Sequence, residues 1–365
     1  MNEISLIKDT SKLSSFINLI QDSSIIGIDT EFMRRTTYWP VLCLIQISDG
    51  INTGIIDLIS TNIDLSPLFK FLENRSIKKI FHSGEQDLEI LWSKGASVKN
   101  IYDTQIASMF SGYKSQISYS DLVNTILNIK INKSQQNSNW QIRPLKDKQI
   151  QYAAEDVIHL PLLYKKLNEY IIQKDLNSWV SDEMDNIEKI RSLYIKKIEI
   201  KSLSDLKIIA NNDSSLINLI SSWRENIAQK NNVPRSWVCS NSTIKFLFDN
   251  HKTIFSELEI GFMDFSYINE DNINDLKDCV SLFIKSNNNY SNQTNTISNR
   301  SYTKTVKNLR ALLDNRCNYY KISPQLVANR FDLEKLAKNQ LNVRALNGWR
   351  FEIFGKEALD IIRNS

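Results

Sequence analysis

The sequence GIDTEF (27–32) places two carboxylates, Asp29 and Glu31, within the run SIIGIDTEF (24–32), whose apolar and β-branched residues are typical of a buried strand. Side chains two positions apart on a strand point to the same face, so the two acids project together. Two carboxylates at close range repel each other, and burying them unpaired costs several kcal/mol. A divalent cation such as Mg²⁺ or Mn²⁺ prefers oxygen ligands and would make the pair favourable. The alternative interpretation is a strand end where both acids face water.

Outward from this strand, the first half of the chain alternates strand and helix patterns. Further strand-like runs lie at 41–49, 53–59 and 77–83, and helical patterns lie at 66–74, 84–95 and 118–129. A long helical pattern covers 147–173, and its internal Pro161 should kink the helix or divide it in two. Strands followed by mixed strands and helices predict an α/β domain.

The second half shows no strand patterns from about residue 200 onward. Short helical patterns recur there, and the Asn-, Ser- and Thr-rich stretch 285–301 is the best linker candidate in the chain. We therefore expect three domains, an α/β domain at 1–190 and two helical domains at 200–285 and 300–365.

Three further residues add chemistry to the first strand. Asp87 lies in the first turns of a helix that follows a strand, where an acid is also favoured simply by the helix dipole. Tyr152 and Asp156 are four residues apart on a helix and share a face. Each of these signals is weak alone, since a half-buried Tyr near an exposed acid is common. The combination is informative because the Asp-x-Glu pair, the mid-domain Asp and the Tyr-x-x-x-Asp pair follow one another within about 130 residues.

This combination resembles the DEDD 3′-to-5′ exonucleases, and specifically the ribonuclease D family. The resemblance extends over three motifs: DTEFMRRTTYWPVLCLIQI (29–47), FHSGEQDLEIL (81–91) and NWQIRPLKDKQIQYAAEDVIHLPLLY (139–164). The family has a branch with Tyr and a branch with His before the last Asp. Gln151 occupies the position that the His would take, so Tyr152 is typical of the Tyr branch.

The resemblance implies a fold and a set of roles. The fold would be a ribonuclease H-like α/β exonuclease domain with a mixed sheet, followed by two all-α helical bundles. Asp29, Glu31, Asp87 and Asp156 would hold two Mg²⁺ or Mn²⁺ ions that clamp both sides of a phosphodiester during hydrolysis. Tyr152 would orient the attacking water, because a phenol of ordinary pKa, about 10, is a poor base at neutral pH.

The helical second half resembles two HRDC domains, small helical modules that follow ribonuclease D catalytic domains. The residues that carry the likeness are Trp223, Pro234, Trp237 and Val238 in the first module, and Ser323, Pro324, Gly348, Trp349 and Arg350 in the second. We expect the aromatic ones to be core residues rather than stacking platforms for bases.

Charge is distributed unevenly along the chain, whose net charge is +4. Residues 300–365 contain 13 Lys and Arg against 6 Asp and Glu, whereas the first helical module is close to neutral. A basic surface of this kind would gather RNA without sequence preference and in a salt-dependent way. A helical surface that is merely solvated is the alternative explanation.

The sequence therefore predicts a 3′-to-5′ exoribonuclease that removes nucleoside 5′-monophosphates from RNA 3′ ends, with tRNA precursors as the implied substrates. A 3′-5′ DNA exonuclease and a catalytically silent RNA-binding protein are the alternatives. No apolar run is long enough for a transmembrane helix, so no membrane is expected as a partner. The four scattered cysteines predict neither a zinc site nor disulfides and favour the cytoplasm. We expect a monomer.

Overall fold

The computed structural model describes residues 3–59, 61–198, 216–249, 267–287 and 299–364. Much of the predicted linker (288–298) lies outside the described residues, as do 200–215 and 250–266 of the first predicted helical domain.

A six-stranded mixed sheet forms the centre of the first half. Its strands are β1 (Glu3–Ile7), β2 (Ile25–Met33), β3 (Val41–Ser48), β4 (Asn52–Asp57), β5 (Lys78–Phe81) and β6 (Ile101–Asp103). They lie in the order β1-β4-β3-β2-β5-β6. The pairs β1–β4, β2–β5 and β5–β6 are parallel, and β3–β4 is antiparallel. Strand β2, which carries Asp29 and Glu31, therefore lies inside the sheet between β3 and β5. Most other residues of this strand are apolar because an interior strand is buried.

Helices connect and cover these strands. They are α1 (Thr10–Ile20), α2 (Ser66–Glu73), α3 (Glu85–Ser93), α4 (Thr104–Met109), α5 (Tyr119–Leu127), α6 (Asp147–Ile158), α7 (Leu160–Gln173) and α8 (Asn177–Ile198). The predicted long helix at 147–173 is divided into α6 and α7, with Pro161 as the second residue of α7. Proline fits the first turn of a helix because the backbone N–H that it lacks would have no partner there.

The chain forms two compact units, the first comprising residues 1–31, 42–191 and 295–365. Its C-terminal elements are α13 (Asn299–Tyr320), α14 (Pro324–Val327), α15 (Arg330–Ala337), a 3₁₀ turn (Arg344–Leu346), a π-helical turn (Phe351–Gly355) and α16 (Lys356–Arg363). These elements share one buried apolar cluster with the helices of the α/β part, in which Leu163 and Ile171 belong to the same cluster as Leu313 and Phe354.

Polar contacts reinforce this shared core within the first unit. The indole of Trp349 stacks on Trp179 with ring centroids 4.9 Å apart, and its Nε1–H donates to Glu183 at 3.1 Å. The buried guanidinium of Arg350 donates to the other oxygen of Glu183 at 2.6 Å. Trp349 and Arg350 thus tie the C-terminal helices to α8. The predicted boundaries at 190 and 300 stay predictions.

The second unit comprises residues 32–41 and 192–294. Its described helices are α9 (Leu216–Asn231), α10 (Arg235–Val238), α11 (Asn241–Asp249) and α12 (Glu270–Asn287). Tyr38, from the short segment 32–41, belongs to the buried cluster of these helices together with Trp223 and Val238. Trp237 is different, because it is 43% exposed and stacks on Tyr267 at 5.9 Å. The expectation that the module's aromatic residues are core residues is therefore wrong for Trp237, whose short helix turns its ring outward.

Candidate active site and metal centre

Gly27 determines how closely β2 approaches the helix pair α6–α7. A Cβ at this position would lie 2.6 Å from the backbone oxygen of Val157 and 2.8 Å from Cβ of Leu160. Neither atom is the flexible end of a side chain, so only glycine fits. Asp29 lies two residues further along the same face of the strand, and Asp156 directly precedes Val157. The missing side chain at Gly27 therefore lets Asp156 approach Asp29.

Three of the predicted acids meet at this point. One carboxylate oxygen from each of Asp29, Glu31 and Asp156 lies within 4.8 Å of the other two. Burial, together with the neighbouring negative charges, raises the pKa of Asp29 well above its usual range. The same causes raise the pKa of Glu31 to about 9. Burial raises the pKa of Asp156 to about 7, against the effect of a hydrogen bond from Tyr152. Without a cation, the cluster therefore disfavours its own ionisation.

Asp87 lies in the first turn of α3 and is 7% exposed. Its Oδ1 accepts a hydrogen bond from the backbone N–H of Thr30 at 3.1 Å and another from the Thr30 hydroxyl. Burial raises its pKa to about 6. Asp87 is not part of the group of three within 4.8 Å, although its charge helps to raise the pKa of both Asp29 and Glu31. Its role as a fourth metal ligand stays a prediction.

A second acid, Asp103, holds the turn that leads into α3. Its carboxylate accepts from the backbone N–H of Ser83 at 3.1 Å and of Gly84 at 2.8 Å. It also accepts from Gln105 and Ile106 and so caps α4. Ser83 has a φ of 57°, in the left-handed region where a turn needs outside support. Sequence reasoning missed Asp103, and its place directly before a helix was the only available signal.

Tyr152 lies one helical turn before Asp156, as predicted. Its pKa is raised strongly, first by burial and then by the charges of Asp156, Glu31 and Asp29. The phenol therefore keeps its proton at neutral pH and can donate a hydrogen bond. Its ring lies 6.0 Å from that of the fully buried Trp140, which limits the positions it can take.

The loop before α6 is fixed by an ion pair that sequence reasoning did not identify. The guanidinium of Arg143 contacts both oxygens of the fully buried Asp57, at 2.6 and 2.7 Å. It also donates to the backbone oxygen of Trp140 at 2.7 Å. A bidentate pair of this geometry fixes direction as well as distance. Arg143 therefore anchors the segment that places Trp140 beside Tyr152.

Two other residues near the site have structural partners. The Tyr119 hydroxyl donates to the backbone oxygen of Glu155 at 3.0 Å, which joins α5 to α6. The His82 ring nitrogens lie 3.0 Å from Thr104 Oγ1 and 3.0 Å from the backbone oxygen of Ile117. Both side chains thus have structural partners, and we assign neither residue a chemical role.

The donor set fits a divalent metal ion. All its atoms are carboxylate oxygens, the ligands that Mg²⁺ and Mn²⁺ prefer. Among the residues that the structure describes, no Lys or Arg forms an ion pair with Asp29, Glu31, Asp87 or Asp156. Burial and the neighbouring negative charges raise the pKa values of Asp29 and Glu31, and the positive charge of a bound cation would offset both effects.

Comparison with known proteins agrees with this geometry. Residues 4–172 match the family model of a 3′-5′ exonuclease. The chain is 30% identical over 375 residues to ribonuclease D of Bartonella henselae, covering 98% of this chain and 90% of that protein. It is 32% identical over 372 residues to ribonuclease D of Zymomonas mobilis, covering 98% and 93%. The chain belongs to the ribonuclease D family. Family membership and the exonuclease domain confirm the predicted activity, a hydrolase that acts as a 3′-to-5′ exoribonuclease.

A solved structure confirms the fold. The crystal structure of Escherichia coli RNase D, an exoribonuclease involved in structured RNA processing, matches with a TM-score of 0.76 at 24% identity. The match covers 100% of this chain and 99% of that chain. The predicted fold class, a mixed-sheet α/β exonuclease domain followed by helical regions, is therefore confirmed. In the part of the chain that the structure describes, no helix has both the length and the apolar character needed to cross a membrane.

Proposed function

We propose that this ribonuclease D family member trims the 3′ ends of tRNA precursors, one nucleoside 5′-monophosphate at a time. The observation that carries the cleavage chemistry is the meeting of Asp29, Glu31 and Asp156 within 4.8 Å beside the phenol of Tyr152, and the resemblance to ribonuclease D implies the tRNA substrate. A cluster of mutually repelling carboxylates is costly unless it binds a cation that the reaction needs.

The proposed catalytic residues are Asp29, Glu31, Asp87, Tyr152 and Asp156. The four acids would hold two divalent ions, Mg²⁺ or Mn²⁺. When bound, such a pair supplies a hydroxide-like nucleophile and stabilises charge on the leaving 3′ oxygen. Tyr152 would keep its proton and donate a hydrogen bond that orients the attacking water, because burial raises its pKa and makes it a poor base. Thr30 would hold Asp87 in place through its hydroxyl and its backbone N–H.

The helical regions would provide the RNA surface. We propose that both are HRDC modules, at 200–285 and 300–365. Most Lys and Arg side chains of the second are exposed, for example Lys304, Lys307 and Lys321. Arg350 is an exception, because it is buried against Glu183. Exposed cations gather RNA phosphates and lose that attraction as salt rises. We further propose a cytoplasmic monomer, in which the four buried cysteines stay reduced.

The substrate experiment compares matched single strands of RNA and DNA and a tRNA with or without a 3′ extension. We expect faster cleavage of RNA than of DNA, removal of the tRNA extension, nucleoside 5′-monophosphates as products and no reaction in EDTA. Faster cleavage of DNA would overturn the RNA assignment. The comparison is needed because no described residue is seen to select a 2′-hydroxyl. Trimming of the free RNA strand but not of the extended tRNA would overturn the tRNA assignment.

A further inference from the structure

A cavity within the second compact unit has no role in the catalytic chemistry described above. It has a volume of about 450 Å³, and the segment 32–41 lines it together with residues of α9, α10 and the start of α11. Four of its lining side chains are arginines: Arg34, Arg35, Arg224 and Arg235. A concentration of guanidinium groups of this kind is unusual in a module whose total charge is close to neutral.

Among the described residues, one acid forms an ion pair with the arginines of the cavity. Arg235 forms a two-pronged ion pair with Glu225. Among the described residues, Arg34 donates to the backbone oxygen of Tyr38, at 2.8 Å. Arg224 donates to the backbone oxygen of Cys239 and to the neutral side chain of Asn241. Within the described ranges, no carboxylate forms an ion pair with Arg34, Arg35 or Arg224. In the part of the chain that the structure describes, the cavity therefore presents four guanidinium groups, of which one is paired with a carboxylate.

The cavity is also held in shape by its own contacts. The Tyr38 ring lies against two guanidinium groups, 5.4 Å from that of Arg34 and 5.0 Å from that of Arg235. The Tyr38 hydroxyl donates to Glu225. Ser240, another lining residue, accepts from the backbone N–H of Thr243 and so caps the first turn of α11. Helix N-termini favour anions, which adds to the effect of the arginines. The guanidinium groups of Arg34, Arg224 and Arg235 are thus partly immobilised before any ligand arrives.

Phosphate is the ligand that this chemistry fits. A guanidinium group presents a planar fork of N–H donors that matches two phosphate oxygens, and several such groups can bind successive phosphates of a strand. Arg34 follows Glu31 by three residues, so the extended chain keeps their Cα atoms within about 11 Å. An RNA strand whose 3′ end is bound at Glu31 carries a phosphate on every nucleotide on the 5′ side of that end.

We infer that this cavity binds backbone phosphates of the RNA strand that is being trimmed. The inference rests on the proposed function, because it assumes that the strand ends at the acidic cluster. It gives the first helical module a direct part in substrate binding. Because phosphates carry no base identity, the contact should be independent of sequence.

The test is Arg35→Gln, because Arg35 is exposed and lines the cavity without a described ion pair. Lys230→Gln is the matched control, since it removes one exposed positive charge from the same module outside the cavity. Binding of a 5′-fluorescent single-stranded RNA is measured in EDTA over a range of salt concentrations. For Arg35→Gln we expect about fivefold weaker binding at low salt and a salt slope smaller by about 0.7. Lys230→Gln should bind like the wild type.

Two outcomes would overturn the inference. One is an Arg35→Gln variant whose affinity and salt slope equal those of Lys230→Gln. The other is an Arg35→Gln variant that binds RNA as tightly as the wild type does but no longer binds inorganic phosphate. That result would assign the cavity to a free anion instead of RNA. Because binding is measured in EDTA, neither outcome depends on cleavage. Failure of the proposed function would appear separately, as a wild type that binds RNA but does not shorten it in Mg²⁺.

Discussion

Thr30 offers the sharpest test of how the site is assembled. It lies between Asp29 and Glu31, is 5% exposed, and directs two hydrogen bonds at Asp87 Oδ1. Thr30→Val keeps the shape of the side chain and the backbone bond at 3.1 Å but removes the hydroxyl. A hydrogen bond to a charged group contributes about 1.5–3 kcal/mol. The lower end applies here because the backbone donor remains, and it corresponds to about a tenfold loss in kcat/KM.

The assay measures 3′ trimming of a labelled RNA as a function of Mg²⁺ concentration. We expect Thr30→Val to lose about tenfold in kcat/KM and to need correspondingly more Mg²⁺ for half-maximal rate, because Asp87 is less well placed. Thr30→Ser restores the hydroxyl and should stay within about threefold of the wild type. A folded Thr30→Val variant with wild-type kcat/KM and wild-type Mg²⁺ dependence would refute the reasoning.

Two further predictions concern stability. Burial raises the pKa of Glu31 to about 9 and of Asp156 to about 7, so between pH 4.5 and pH 9 the folded protein binds more protons than the unfolded chain. Metal-free protein should therefore lose stability as pH rises through this window. Calorimetry should show that Mg²⁺ raises Tm more at pH 8 than at pH 5. An equal Mg²⁺ effect at the two pH values would contradict the metal assignment. Gly27→Ala would force a Cβ against Val157 and Leu160, at a cost of about 1–3 kcal/mol in the free energy of unfolding. It should also impair trimming by moving Asp156 away from Asp29, and a fully active, stable variant would contradict this.

Much of the site could be predicted from local sequence patterns. Asp29 and Glu31 share a face because strand geometry alone requires it, and Tyr152 and Asp156 share one because a helix repeats after about four residues. The division of 147–173 at Pro161 follows from the missing N–H of proline. In each case the interaction is confined to a few consecutive residues.

Other features depend on contacts between distant residues and left no local signal. Thr30 meets Asp87 across 57 residues, and Arg143 meets Asp57 across 86. The edge strand β1 (Glu3–Ile7) escaped prediction because most of its side chains stay partly exposed and lack a clear alternation. The strand β6 (Ile101–Asp103) has only three residues, too few for a pattern to develop.

The most direct test of the central claim is digestion of a 5′-labelled tRNA precursor with a 3′ extension, in Mg²⁺ or EDTA. It compares the wild type with Asp156→Asn, which removes one proposed metal ligand, and with Glu155→Gln, which removes the neighbouring carboxylate. We expect a ladder that shortens from the 3′ end in Mg²⁺ and disappears in EDTA. Asp156→Asn should lose at least about 100-fold in rate, whereas Glu155→Gln should keep most of it. Shortening that persists in EDTA, or an Asp156→Asn variant as fast as Glu155→Gln, would contradict the account.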